Sequence, residues 1–125
     1  MRLLVVEDEN HLREQLQTFL CQLGYVVDAA ADGREGLYFG EEYPYDLAVI
    51  DIGLPEIDGI ELIRSIRRIH ADLKVLAISG GGMYQDPKLA TQLAAATGAS
   101  RVLRKPVSND ELLDEVALLV SPESA

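Results

Sequence analysis

The stretch AVIDIGLPEIDG, residues 48–59, carries the strongest indication of the fold. It starts as an apolar run, ends that run at Asp51, and passes through a turn to a helix start at Asp58. Such a continuous apolar run is typical of a strand buried on both faces of a parallel sheet. In open α/β sheets the ligand crevice lies beyond the carboxyl ends of the strands. The stretch therefore predicts a central strand with a carboxylate facing that crevice.

Strands and helices alternate in both directions from this stretch. Apolar runs predict strands over residues 3–6, 25–31, 47–50, 75–78 and 102–103. One helix is predicted from Leu12 to a stop at Gly24, and two more are predicted over residues 33–42 and 87–97. Two further helices are predicted to begin after the capping residues Asp58 and Ser108. Five strands alternating with five helices require right-handed crossovers and a parallel sheet covered on both faces.

Length and composition indicate one compact domain. The chain has 125 residues, of which 48% are hydrophobic and 26% charged. We expect a domain over residues 1–120, with residues 121–125 as a tail or the start of a linker. The net charge of −10 disfavours direct binding to nucleic acid or an anionic membrane. Cys21, the only cysteine, is expected to be a buried small side chain, and a chain without a possible internal disulfide fits the cytoplasm.

Polar residues stand where the predicted strands end. Glu7 and Asp8 follow the first strand, Asp51 the third, Ser79 the fourth and Lys105 the fifth. Three carboxylates facing one crevice repel one another, so they favour a hard cation such as Mg²⁺, with Asp8 and Asp51 as direct ligands. Lys105 and Ser79 add an ammonium and a hydroxyl that suit a phosphoryl group. A carboxylate of Asp51 attacking that group would form an aspartyl phosphate.

Four motifs in this order resemble the receiver domains of bacterial two-component response regulators. They are VVEDE at residues 5–9, the stretch ending at Asp51, AISGG at residues 77–81 and Lys105-Pro106. The resemblance covers nearly the whole chain. It implies a flavodoxin-like (βα)5 three-layer sandwich with a parallel sheet in the order 2-1-3-4-5. It also implies a magnesium-dependent signalling switch that is phosphorylated on Asp51.

The resemblance further implies individual roles and partners. The backbone carbonyl of Gly53 would be a metal ligand, Glu7 would act through water, and the Lys105-Pro106 bond would be cis. The phosphoryl group would come from a sensor histidine kinase or a histidine phosphotransferase. An output domain or effector would contact the face formed by the fourth helix, fifth strand and fifth helix. The domain would assist its own phosphorylation and dephosphorylation without being an enzyme for other substrates.

The sequence departs from the family pattern in three places. Val102 occupies the position of a common aromatic residue in the fifth strand. Residues 1–67 resemble receivers of winged-helix transcription regulators, whereas the later part resembles another group of receivers. Natural divergence explains this difference as well as a recombined or engineered junction near residues 65–73 does. The last helix carries acids and no Lys or Arg, and we therefore expect a monomer or a weak dimer; the acids are Asp110, Glu111, Asp114 and Glu115.

Three other functions use parts of the same pattern. Phosphatases of the haloacid dehalogenase class also use Mg²⁺ and an aspartate nucleophile, but their general acid stands where this chain has Gly53. Flavin carriers of this fold bind phosphate after the first strand, where acidic residues 7–9 would repel it. The third alternative is an interaction module that is independent of phosphorylation.

Overall fold

The computed structural model describes residues 1–80, 87–96 and 98–120. The strands are β1 (Arg2–Val6), β2 (Val26–Ala30), β3 (Leu47–Asp51), β4 (Lys74–Ser79) and β5 (Arg101–Arg104). The helices are α1 (Asn10–Gln22), α2 (Gly33–Glu42), α3 (Gly59–Ile69), α4 (Pro87–Ala96) and α5 (Asn109–Val120). The predicted tail, Gly81 of the AISGG motif and Thr97 at the predicted end of the fourth helix lie outside the described residues.

The five strands form one parallel sheet in the order β2-β1-β3-β4-β5, which confirms the predicted topology. Val6 of β1 pairs with Ile50 of β3, and Ile50 in turn pairs with Ala77 of β4. This register brings the carboxyl ends of the three central strands to the same edge of the sheet. Residues directly beyond those ends therefore become neighbours, although they are far apart in sequence.

Side chains alternate along the strands and build a core on each face of the sheet. Leu4, Ala48 and Val75 pack with α2 and α3, whereas Leu3, Val49 and Leu76 pack with α1 and α5. α4 contacts β4 and β5. The sheet is thus the middle layer of the predicted three-layer sandwich. Within the described ranges, none of the helices combines the length and the apolar composition that a membrane-spanning helix needs.

Two helices begin directly after their predicted capping residues, whereas α1 begins earlier than predicted. Asp58 Oδ1 accepts a hydrogen bond of 2.9 Å from the backbone N–H of Glu61, and Ser108 Oγ accepts one of 3.1 Å from that of Glu111. α1 begins at Asn10, two residues before the predicted start at Leu12. The reason is that the carboxylate of the preceding residue, Glu9, caps the helix by accepting hydrogen bonds from two of its first N–H groups.

The prediction that Cys21 is buried was wrong, because its side chain is exposed. The neighbouring Leu20 is fully buried against the sheet. Successive residues of an α-helix point about 100° apart, so the residue after a core-facing leucine turns toward solvent. The exposure of Cys21 is therefore set by its place on the helix and not by the apolar character of its side chain.

Gly59 permits the close approach of α3 to β3, and its substitution tests how tightly that contact is packed. A Cβ at Gly59 would overlap the backbone of Asp51 and Ile52, so Gly59→Ala should lower the unfolding free energy by about 3 kcal/mol or more. Gly40→Ala is the control, because its Cβ would lie 3.1 Å from a side-chain carbon of Ile66. The better helix propensity of alanine should keep that variant within about 1 kcal/mol of the parent. Urea unfolding measures both, and equal stabilities would contradict this packing.

Candidate functional site

Three carboxylates meet at the carboxyl edge of the sheet. Each of Glu7, Asp8 and Asp51 offers an oxygen, and these oxygens all lie within 4.8 Å of one another. Glu7 and Asp51 are buried, whereas Asp8 is exposed. The paired ends of β1 and β3 explain the proximity, since Glu7 and Asp8 follow β1 directly and Asp51 ends β3.

Lys105 supplies the positive charge of the cluster. Its Nζ lies 2.9 Å from Asp51 Oδ2 and 3.2 Å from Glu7 Oε1. The lysine follows β5, and its backbone N–H donates a hydrogen bond of 2.8 Å to the carbonyl of Ser79 at the end of β4. The Lys105-Pro106 peptide bond is cis, as the family resemblance implied. One ammonium group is therefore shared by two buried acids.

The environment raises the pKa of the Lys105 ammonium. Burial works against its charge, but the hydrogen bond to Asp51 and the charges of Asp51 and Glu7 outweigh burial and raise the pKa above the ordinary lysine value. Lys105 consequently remains a cation throughout the neutral pH range. The ion pairs offset part of the repulsion between the acids.

Glu7 is the most perturbed acid of the site. Burial, followed by the negative charge of Asp51, raises the pKa of Glu7 to about 7, against the opposing effects of the Glu9 N–H and Lys105. Glu7 Oε2 accepts a hydrogen bond of 3.0 Å from the backbone N–H of Glu9. Glu7 Oε1 is within ion-pair distance of Lys105 but makes no hydrogen bond. Glu7 therefore takes up a proton more readily than an ordinary glutamate.

Asp51 is oriented by contacts on both of its oxygens. Oδ1 accepts a hydrogen bond of 2.8 Å from the backbone N–H of Gly53, and Oδ2 accepts one from Lys105. The side chain is almost fully buried. Because a carboxylate oxygen has two lone-pair directions, each oxygen keeps capacity for another ligand.

Ser79 provides a second indication that the site is built for a ligand. Its side chain is fully buried, and its Oγ has no hydrogen-bond partner within the described part of the chain. An unsatisfied buried hydroxyl costs about 1–3 kcal/mol, so such groups in native proteins need an explanation. An oxygen-rich site with an unsatisfied buried hydroxyl, Ser79 Oγ, beside buried carboxylates fits a hard cation and an oxyanion.

The structure brings the predicted site residues to one edge of the sheet. Three of them form the acidic cluster, Lys105 contacts two of these, and Ser79 adjoins Lys105 through the backbone. For Gly53, the contact present is made by its N–H, and the role of its carbonyl as a metal ligand remains a prediction. Sequence reasoning did not identify Gly59, although a glycine just after the capping Asp58 is a sign of close approach.

The contacts of α1 were also missed. Arg13 Nη1 donates a hydrogen bond of 3.0 Å to the carbonyl of Glu7, and Gln15 Nε2 donates one of 3.1 Å to the carbonyl of Val107. Both partners are backbone groups in loops. No sequence spacing indicates such contacts, because they depend on how the loops fold back on the helix.

The fold and the site together define an open α/β domain with an acidic ligand site beyond the carboxyl ends of its parallel strands. The chain belongs to the response regulator receiver domain family, whose model matches residues 3–117. It is 46% identical over 112 residues to the two-component response regulator PhoP of Pseudomonas aeruginosa, an alignment that covers 90% of this chain and 48% of the relative. It is 36% identical over 124 residues to the virulence transcriptional regulatory protein PhoP of Salmonella typhimurium, covering 99% and 54%.

The chain thus spans about half the length of these curated relatives. Each alignment extends across residues 65–73, so single natural proteins resemble both parts of the sequence. Among solved structures, the chemotaxis protein CheY4 of Vibrio cholerae is 27% identical with a TM-score of 0.84, covering 94% of this chain and 97% of that one. The response regulator TrrA of Thermotoga maritima, solved in complex with Mg(2+)-BeF, is 33% identical with a TM-score of 0.78 and the same coverage.

Removal of the shared ammonium tests the electrostatic balance of the site. In the absence of divalent cations, Lys105→Ala should lower the unfolding free energy at pH 7 by about 2–3 kcal/mol, because it leaves two buried acids without their cation. Adding Glu7→Gln should recover part of this loss, since the two effects are coupled. Arg104→Ala, at an exposed neighbour, should change stability by less than about 0.5 kcal/mol. Equal losses for the lysine and arginine variants would refute the shared ion pair.

Proposed function

We propose that Asp51 is the phosphoacceptor of a magnesium-dependent switch. Asp8, Asp51 and the carbonyl of Gly53 would hold Mg²⁺ directly, and Glu7 would hold it through water. The observation that carries the proposal is the Lys105 contact with Asp51 inside a cluster of three carboxylates. A buried acid with a cation on one oxygen and a free coordination direction is suited to receive a phosphoryl group.

The transfer is an in-line displacement at phosphorus. A carboxylate oxygen of Asp51 forms the new P–O bond while the P–N bond to a donor histidine breaks, and the bonding electron pair leaves with the imidazole. Lys105 stabilises the charge on the phosphoryl oxygens, and the Ser79 hydroxyl donates a hydrogen bond to one of them. When bound, Mg²⁺ supplies charge neutralisation between the carboxylates and the phosphoryl group.

A structural neighbour supports the metal and the anion together. TrrA was solved with Mg(2+)-BeF, and its fold matches this chain over 94% of the residues. We infer that the equivalent ligands bind here at the edge where Ser79 Oγ lacks a hydrogen-bond partner among the described residues. The hydroxyl would then gain the contact that it lacks.

A phosphatase for external substrates is the second candidate. That chemistry needs an acid beside the nucleophile to protonate the leaving group. Position 53 is glycine, and Lys105, whose pKa is raised, is a poor proton donor at neutral pH. We therefore favour a chain that does not turn over phosphate esters, and we propose that it assists only its own phosphorylation and dephosphorylation. An interaction module independent of phosphorylation would leave the buried Ser79 hydroxyl unexplained.

The partners follow from this role. The phosphodonor is a sensor histidine kinase or histidine phosphotransferase, and residues 1–120 form the receiver domain, with residues 121–125 as a tail or the beginning of a linker to an output domain. The matched relatives are about twice as long as this chain, which supports an additional domain. We place the protein in the cytoplasm, where an exposed single thiol such as Cys21 stays reduced.

Phosphorylation of Asp51 is tested directly by mass. Incubation with acetyl phosphate and Mg²⁺ should add one phosphoryl group to the intact chain, and a chelator should prevent the addition. Asp51→Asn should remain unlabelled, because its amide oxygen is a weak nucleophile. Asp72→Asn, at an exposed aspartate outside the site, should be labelled like the parent. Labelling of Asp51→Asn to the same extent as the parent would assign the phosphate to another residue.

The output face is formed by α4, β5 and α5. Arg101 of β5 makes two hydrogen bonds to Glu115 of α5, of 2.7 and 3.0 Å, so this arginine is engaged within its own chain. Asp110 and Asp114 are exposed on α5, beside the exposed apolar side chain of Leu113. A symmetric contact through α5 would bring these acids toward their copies. We therefore propose a monomer or a weak dimer that uses this face for an output domain or effector.

Charge reversal on α5 tests this proposal. Light scattering at low salt on the beryllofluoride-treated protein should give the mass of a monomer, because like charges on α5 oppose pairing. The double variant Asp110→Lys with Asp114→Lys should associate more strongly with the parent chain than either protein does with itself. A tight parental dimer would show that apolar packing on this face outweighs the repulsion.

A further inference from the structure

We infer that Arg13 and Gln15 of α1 are positioning residues that hold the two halves of the site at the correct separation. Arg13 bonds to the loop that carries Glu7 and Asp8, and Gln15 bonds to the segment that follows Lys105. We call these two side chains the α1 brace. The inference depends on the proposed function, because that function assigns roles to the metal and to Lys105. The hydrogen bonds of Arg13 and Gln15 are observed independently of it.

The brace follows from helix geometry. Two residues that are two positions apart on an α-helix point about 200° away from each other. Arg13 and Gln15 therefore reach different loops from opposite sides of α1; Arg13 is half-buried, whereas Gln15, like Glu14 between them, is exposed. The helix itself is held against the sheet by the fully buried Leu16 and Leu20. A rigid, anchored helix thus connects two loops that belong to different parts of the chain.

Arg13 acts on the acidic loop through the backbone. Its Nη1 donates to the Glu7 carbonyl at 3.0 Å, and its Nη2 donates to Asn10 Oδ1 at 2.7 Å. The Glu7 carbonyl belongs to the peptide unit that leads into Asp8, so this contact restrains the orientation of both acids. The planar guanidinium makes the two contacts at once, which a single ammonium cannot do with the same geometry.

Gln15 acts on the lysine side of the site. Its Nε2 donates hydrogen bonds of 3.1 Å to the Val107 carbonyl and of 3.1 Å to Asn109 Oδ1. Val107 is two residues beyond Lys105. A groove of about 480 Å³ runs between α1 and this segment and is lined by Gln15, Lys105 and Val107 among others. Gln15 therefore bonds across a groove rather than within a packed core.

The two arms of the brace predict different defects. Loss of the Arg13 contacts should loosen the metal-binding acids, and partners that orient metal ligands typically contribute 10- to 100-fold to metal affinity or activity. Loss of the Gln15 contacts should misplace the ammonium of Lys105 while leaving the acids in place. Substitution of Arg13 should therefore lower mainly the metal affinity, whereas substitution of Gln15 should lower mainly the maximal phosphorylation rate.

The experiment uses the full chain and four variants: Arg13→Met, Arg13→Lys, Gln15→Met and the control Glu14→Gln. Calorimetry gives the Kd for Mg²⁺, acetyl phosphate labelling at saturating Mg²⁺ gives the maximal rate, and hydrogen exchange of the Glu9 amide reports on the acidic loop without metal. We expect Arg13→Met to raise the Kd about tenfold, Arg13→Lys to recover part of that affinity, and Gln15→Met to lower the rate about tenfold with a Kd within about twofold.

Hydrogen exchange separates the brace from the proposed function. The Glu9 amide is hydrogen-bonded to Glu7 Oε2, so its exchange should accelerate in Arg13→Met and stay unchanged in Gln15→Met. If the parent chain neither binds Mg²⁺ nor becomes labelled, the proposed function fails together with the Gln15 arm, whereas the exchange comparison still decides whether Arg13 holds the acidic loop. The brace is overturned if Arg13→Met matches Glu14→Gln in Kd and in Glu9 exchange, if Gln15→Met matches Glu14→Gln in the maximal rate, or if both methionine variants change Kd and rate in parallel with a loss of stability.

Discussion

The site depends on one constraint, which is that two buried carboxylates share a single ammonium group. Glu7 and Asp51 stand at the ends of adjacent parallel strands, and the register of those strands prevents the acids from moving apart. Lys105, 2.9 Å from Asp51 and 3.2 Å from Glu7, offsets only part of their repulsion. The raised pKa of Glu7, about 7, is the result of burial together with the charge of Asp51.

This imbalance of charge is typical of a site that binds charged ligands. Buried like charges and an unsatisfied Ser79 hydroxyl both cost stability, and natural proteins accept such costs mainly at functional sites. The surrounding packing prevents the acids from relieving this repulsion by moving apart. Gly59 lets α3 begin against the backbone of Asp51, and the cores on both faces fix β1 and β3. A cation and an oxyanion would complete the contacts that the folded chain leaves open.

Sequence patterns predicted the fold and most of the site because both depend on strand ends. Apolar runs identify the buried strands, and parallel strands bring the residues after them to one edge, so Glu7, Asp51 and Lys105 could be placed together without coordinates. The patterns did not predict the contacts that side chains make with backbone groups. The start of α1 and the α1 brace depend on loop conformations, and the exposed Cys21 depends on the exact rotation of α1.

The most direct test of the account is the unfolding free energy as a function of Mg²⁺ at constant ionic strength. Binding to the folded chain should raise this free energy by about 1.4 kcal/mol for each tenfold increase in Mg²⁺ above the Kd. Asp8→Asn should be at least as stable as the parent without metal, because it removes one like charge, and should gain little from Mg²⁺. A parent chain whose stability is the same with and without millimolar Mg²⁺ would contradict the claim that the carboxylate cluster is a metal site.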